Sequence, residues 1–261
     1  MVKVAYDAGH GKFTAGKRSP FDEREWMFNN EVAVAFANRM NQYENVQLLR
    51  LDDPKGMRDV PLHERTDKAN EWHADVLISF HHNALGGVWH SGGGVETFVH
   101  PQSSKKSKEL QKLIHPAIVK AMGLKDRGMK EQNLHMLRES NMPSILTEGG
   151  FMDSTADIVV MRDKNRLKAQ GEAVADAVAK YFGLKLKQVV KAANTQKEEI
   201  RMLKPSTKTL ENEFATLLET AHKEGILSSP EWAKKAREGN LSLDDAIALQ
   251  STIIRRVHFN K

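Results

Sequence analysis

The chain has no cysteine, and that single absence removes disulfides, thiol nucleophiles and thiolate-bound zinc together. Any metal site must then be assembled from histidine, aspartate and glutamate. No apolar run approaches the length of a membrane span, so no membrane insertion is expected. The opening Met1-Val2-Lys3-Val4-Ala5-Tyr6-Asp7 lacks the basic segment and apolar stretch of a secretory signal. The expectation is a protein made in the cytoplasm and kept there until something releases it. The tail has no aromatic residues interleaved with its basic ones and matches no reading motif, which argues against nucleic acid as a partner.

What is present is ordinary for a globular protein: 261 residues, 40% hydrophobic and 28% charged, enough to bury a proper core. The net charge of +5 is unevenly spread. Residues 1–183 carry 25 Lys and Arg against 24 Asp and Glu, while residues 184–261 carry 14 against 10. The excess therefore sits in the tail, where a solvated surface or an anionic polymer would accommodate it.

Along the chain, Val2–Tyr6 reads as a strand that runs into the glycine-flanked turn Asp7-Ala8-Gly9-His10-Gly11. The following Lys12-Phe13 rules out a phosphate loop. Phe28, Val32, Phe36 and Met40 recur at helical spacing within a helix over 25–43, with Glu25 in its first turn. A strand over 46–51, a helix opened by Pro61 and running to about His73, and a continuous apolar strand over 75–80 complete an α/β rhythm. A mobile, glycine-rich loop over 85–94 precedes a strand over 95–99 and a helix over 103–122. Short strands are expected over 133–137 and 144–147, then a final amphipathic helix over 164–182 stopped by Gly183. Three short helices are expected in the tail, over 210–224, 230–238 and 242–257.

Strand alternation sends the adjacent His81 and His82 to opposite faces, so only one of them enters a site at the strand's end, and the choice falls on His81. A lone histidine there is more often structural than a ligand. Three other residues at strand ends or helix starts alter the balance: His10, Glu25 and Glu148. Catalytic zinc takes three ligands from His and carboxylate and leaves a position for water, which two His and one Glu supply. A fourth group is then available as general acid and base. Carboxyl ends of strands are where an α/β sheet places its active site, and His10, His81 and Glu148 all fall there.

In order and spacing, Asp7-Ala8-Gly9-His10-Gly11, Glu25-Trp26-Met27-Phe28-Asn29, Arg65 with Ala69-Asn70, Ser79-Phe80-His81-His82-Asn83-Ala84 and Leu146-Thr147-Glu148-Gly149-Gly150-Phe151 form a specific set. From Val4 to Phe182 the chain resembles the zinc-dependent N-acetylmuramoyl-L-alanine amidases of the amidase 3 type, particularly phage endolysins. The resemblance implies that His10, Glu25 and His81 bind one zinc ion and that Glu148 is the catalytic carboxylate. Glu23 and Glu31 stand near Glu25; the choice rests on Glu25 lying four residues before Asn29, as the family's ligand does before its Asn. His63, His73, His82, His90 and His135 are read as surface or structural histidines. Arg65 and Asn70 are read as holding a helix to the sheet, and Asn83 as lining the site.

The implied reaction is hydrolysis of the amide joining N-acetylmuramic acid to the L-alanine of the stem peptide, with peptidoglycan as the partner. The fold expected is α/β, a mixed and mostly parallel sheet flanked by helices over 1–184, a linker over 185–207, and a small all-α C-terminal domain over 208–261. That tail matches neither SH3-like nor lysin-motif modules, and by position it is the candidate for binding a secondary wall polymer. Rival readings are a peptidoglycan peptidase, a host autolysin or sporulation amidase, and a zinc-binding wall protein without turnover.

Overall fold

A computed structural model describes residues 1–187, 208–227, 229–238, 240–241, 245 and 249. The chain divides into two compact units, Met1–Gln188 and Val189–Lys261. In the first, the order is β1 (Val2–Ala8), α1 (Glu25–Met40), β2 (Val46–Arg50), α2 (Leu62–Glu71), β3 (Val76–Asn83), β4 (Val95–Val99) and α3 (Lys105–Met122). It continues with β5 (Asp126–Glu131), α4 (His135–Arg138), β6 (Ser144–Phe151), α5 (Asp157–Met161) and α6 (Lys164–Phe182). The six strands form one sheet in the order β2-β1-β3-β6-β4-β5. Four run parallel, and β4 lies antiparallel to β6 with β5 parallel to β4, so the sheet is mixed and mostly parallel, as its sequence rhythm implied.

Alternation along the strands builds two cores. Val4, Tyr6 and Ala8 of β1 and Val76, Ile78 and Phe80 of β3 join the helix side chains Val32, Phe36, Ile114 and Val178 on one face. Ala5 and Leu77, one residue out of phase, pack with Ala69 of α2 and Met136 of α4 on the other. Caps fix the helix limits: Ser104 accepts from Ser107 N, Asp163 accepts from Asn165 N, and Gly123 and Gly183 close α3 and α6 in the left-handed conformation.

Two expectations are corrected. The strand expected over 133–137 is the short helix α4, and the strand that completes the sheet on that side is β5, which begins seven residues earlier in the chain. Asp126-Arg127-Gly128-Met129-Lys130-Glu131 has no alternating apolar pattern because an edge strand needs only one neighbour, and its charges keep further strands away. Asn133–Leu137 looks extended by alternation, yet a helical turn buries the consecutive Met136 and Leu137. The second unit contains α7 (Lys208–Lys223) and α8 (Glu231–Arg237), packed through Ala215, Leu218, Ala221, Ala233 and Ala236. The helix expected over 242–257 lies outside the described residues, apart from Asp245 and Leu249.

Helices α1 and α6 touch at backbone distance where α6 carries Gly171. A Cβ there would stand 2.3 Å from Val32 O and 2.8 Å from Phe36 N. Gly171→Ala gains helix propensity of about 1 kcal/mol but forces the helices apart, an overpacking that costs about 1–3 kcal/mol. We predict a lower urea midpoint by circular dichroism; an unchanged or raised midpoint would show that the helices separate freely.

Candidate metal centre at the carboxyl ends of the strands

Beyond the end of β1 the chain turns at Gly9 and His10, and His10 takes a left-handed φ of 65°. A non-glycine residue there costs about 1–2 kcal/mol, so the turn must be held. Arg65 of α2 holds it. Its guanidinium donates to Asp7 Oδ2 at 2.7 Å, Ala8 O at 3.0 Å and His10 O at 3.2 Å, and its Nε donates to Val60 O at 2.8 Å. Arg65 and Asp7 are each only 1% exposed, a buried ion pair whose desolvation is offset by this full set of acceptors. Arg65 thus ties helix to sheet and fastens the histidine's turn as well. Gly9 is required for a different reason: a Cβ would lie 2.1 Å from Cε1 of the His81 ring.

Glu25, the first residue of α1, is buried between the two histidines. Its Oε2 lies 3.3 Å from His10 Nε2 and its Oε1 2.9 Å from His81 Nδ1. The imidazoles meet edge-on, with centroids 4.9 Å apart. Each residue offers a donor atom, and all three atoms fall within 4.8 Å of one another. Bonds of about 2.1 Å to a tetrahedral zinc ion place neighbouring donors about 3.4 Å apart, so two nitrogens and one carboxylate oxygen at this spacing fit that ion. The neighbouring carboxylates are committed elsewhere. Glu23 accepts from Ser19 at 2.7 Å and from Arg162 at 2.7 and 2.9 Å, and Glu31 pairs with Lys164 at 3.4 Å.

The electrostatics of Glu25 and His10 favour their metal-ligating forms. Burial opposes the charge on Glu25, but the hydrogen bond from His81 and the charges of His81 and His10 outweigh it and hold the carboxyl well below the usual range. Burial lowers His10 to about 4, leaving a neutral ring with a free lone pair. For His81 burial is outweighed by the hydrogen bond and charge of Glu25, and its pKa rises.

Glu148 on β6 stands opposite His81 in the sheet register. Burial, aided by the charge of Glu25 and opposed by that of His81, raises its pKa to about 8, and its Oε2 is buried without a partner. Across the antiparallel pair Glu148 faces Glu96 of β4, which accepts from Arg127 Nε at 2.6 Å, from Asn83 Nδ2 at 3.3 Å and from Lys130. The two cations come from β5, so the sequence reading, which had no strand there, missed this network.

His82 points to the opposite face, as alternation requires. There its Nδ1 meets Asn29 Oδ1 at 2.8 Å, and Asn29 Nδ2 donates to Gly9 O at 3.1 Å and to Glu25 Oε1 at 3.3 Å. The buried His82–Asn29 pair therefore orients Glu25 and steadies the Gly9 turn. Among the other histidines, His90 meets Asp153 at 2.9 Å and His135 meets Thr66 at 3.3 Å, while His63 and His73 are exposed. Asn70 bonds Glu139 O and Asn141 N, gripping the chain beyond α4 and away from the three donors. Above the centre a cleft of about 760 Å³ has Glu25 and Glu148 in its lining, with loop residues 15–22 and 83–87 as walls.

Imidazoles and carboxyl groups gathered at the strand ends of a mixed α/β sheet, beside a cleft, are the groups with which a metal-dependent hydrolase works. The family model described as N-acetylmuramoyl-L-alanine amidase, Amidase_3, matches residues 4–180. The CwlM amidase of Bacillus licheniformis is 34% identical over 187 residues, covering 70% of each chain. The endolysin of Bacillus phage SPP1 is 32% identical over 195 residues, covering 72% of this chain and 69% of its own. Among solved structures, the catalytic domain of the CwlV amidase from Bacillus (Paenibacillus) polymyxa var. colistinus aligns with a TM-score of 0.65 at 26% identity. That alignment covers 71% of this chain and all of CwlV's. The chain belongs to the N-acetylmuramoyl-L-alanine amidases, enzymes acting on peptidoglycan, the family that its motifs implied.

Asn29→Ala removes the carboxamide that holds Glu25. Loss of such a supporting hydrogen bond lowers metal affinity by about 10–100-fold. Zinc calorimetry on protein whose circular dichroism is unaltered should show that loss, whereas an unchanged affinity would mean that Glu25 needs no support from the Asn29 side chain.

Proposed function

We propose that this amidase is zinc-dependent, that His10, Glu25 and His81 hold the ion, and that Glu148 is the catalytic acid and base. The observation that carries the reading is the convergence of three donor atoms within 4.8 Å, with Glu148 adjacent to His81 in the register. Zinc bound there supplies Lewis acidity, lowering the pKa of water towards about 7 and polarising a carbonyl oxygen. Glu148 takes a proton from the attacking water as the new C–O bond forms at the lactyl carbonyl. It returns that proton to the L-alanine nitrogen as the C–N bond breaks, leaving a lactyl carboxylate and an intact stem peptide with a free amine. Arg65, Gly9, Asn29 and His82 keep the donors in place throughout.

The biological role we assign is that of a lytic enzyme of the endolysin kind, supported by the similarity to the SPP1 endolysin. A second reading, a host sporulation amidase, has support from the sporulation-specific amidase of Bacillus subtilis, which is 34% identical over 188 residues. Walls of growing cells are the preferred substrate on the first reading and walls of sporulating cells on the second. The helical second unit is assigned to wall attachment through an anionic secondary polymer, supported by the excess of basic residues in the tail.

Mass spectrometry of digested walls should show unshortened stem peptides beginning with L-alanine; shortened peptides would indicate a peptidase. Glu148→Ala should retain zinc while losing at least about 100-fold in rate, the scale of a missing general acid or base, and His81→Ala should lose zinc and rate together. An active Glu148→Ala enzyme would remove Glu148 from the mechanism. With full-length Glu148→Ala as a non-cleaving probe, sedimentation with walls should fall when the anionic polymer is stripped off. Equal sedimentation with stripped and intact walls would refute the polymer assignment.

A further inference from the structure

Two cations of the 15–22 wall, Lys17 and Arg18, line the cleft together with Glu25 and Glu148. Their electrostatic situations differ. Arg18 is paired with Asp22 at 2.8 Å, and Asp22 also takes Arg24 at 3.1 Å. Lys17 has no ion pair and no side-chain hydrogen bond among the described residues. Its position is nevertheless fixed through the backbone. Glu25 N donates to Lys17 O at 3.0 Å, and the next turn is closed by Ser19 N donating to Glu23 O at 2.8 Å. Glu23 in turn is anchored to Arg162. An ammonium thus rises from a backbone tied directly to Glu25, and its charge favours the ionised forms of both Glu25 and Glu148.

A cation beside a cleft that is held in no ion pair is a receptor for an anion. The substrate offers one close to the scissile bond. In a peptidoglycan stem the second residue is a D-glutamate joined through its side-chain carboxyl, so its α-carboxylate is free, or else capped as a neutral carboxamide. Only L-alanine separates it from the amide to be cut, and one residue spans about 3.5 Å. The glycan on the other side of the scissile bond carries no charge near the cut.

We propose that Lys17 is a specificity residue that binds the α-carboxylate of the second stem residue, so that the enzyme prefers free D-glutamate to its amidated form. The proposal rests on the amidase reading above. Asp22, in the same wall, does not repel such a carboxylate, because two guanidinium groups already neutralise it.

The test compares two synthetic muramoyl peptides that differ only in carboxylate against carboxamide at that position, using zinc-loaded full-length protein. The acid should be preferred about tenfold in kcat/KM, expressed mainly in KM, as for a hydrogen bond to a charged group. The preference should shrink as salt is raised. Lys17→Met should bring the ratio to about one by raising KM for the acid, and Lys17→Arg should keep the preference. A wild-type ratio near one, or an undiminished ratio in Lys17→Met, overturns the role of Lys17 while leaving the amidase intact. Cleavage of neither peptide by the wild type overturns the amidase reading and this proposal together.

Discussion

Everything at the functional end of the sheet depends on one buried carboxylate. Glu25 sits between His10 and His81, three groups brought from a turn, a helix start and a strand end. An ionised carboxylate in that place costs several kcal/mol unless it is matched by cationic or donor groups, and the two imidazoles with Asn29 and the His82 backbone supply that match. Neighbouring residues then read as consequences. Arg65 holds the left-handed turn of His10, Gly9 leaves room for the His81 ring, and His82 fixes the carboxamide that fixes Glu25. The donors are held by bonds from residues outside the set, Arg65, Asn29 and His82, the kind of support that suits a metal site.

Much of this was legible in the chain, and the physical reasons are specific. Period-two alternation separated His81 from His82, since one buried face leaves a strand a single register. The family resemblance singled out Glu25, four residues before Asn29, although Glu23 and Glu31 stood within six residues; the structure binds those two to Arg162 and Lys164 and gives Glu25 a hydrogen bond from Asn29. Chemistry that depends on contact rather than pattern was not legible. Nothing in the spacing said that His82 would meet Asn29 across 53 residues, or that Arg65 would reach His10 O across 55. The edge strand β5 escaped notice because its residues are polar, and with it went Arg127 and Lys130, whose charges let Glu96 sit ionised beside Glu148. Burial alone would have raised Glu96; the two cations hold it below the usual carboxylate range.

The cleft walls show the same reliance on carboxylates that take no part in the chemistry. The glycine-rich loop reads from sequence as mobile, yet Asp153, fully buried, accepts from the backbone N–H groups of Leu85, Gly86 and Gly87 at 2.8, 2.9 and 3.0 Å and pairs with His90 at 2.9 Å. Glycine at 86 and 87 suits this, since consecutive backbone donors can converge on one oxygen where no side chains intervene, and Gly87 adopts a φ of 74°. Across the cleft, Glu23 anchors the facing loop to Arg162. The two loops meet where Phe21 stands edge-on to Trp89, with ring centroids 5.1 Å apart.

That contact links the two loops. Each wall is tied at its base by charge-assisted bonds, which tolerate little displacement, whereas the Phe21–Trp89 contact is an aromatic pair worth about 0.5–1.5 kcal/mol. Separation of the loops at their tips therefore costs far less than movement of their roots. Displacement at the tips thus leaves the backbone of Lys17, hydrogen-bonded to Glu25, in register with the strand end that bears His81.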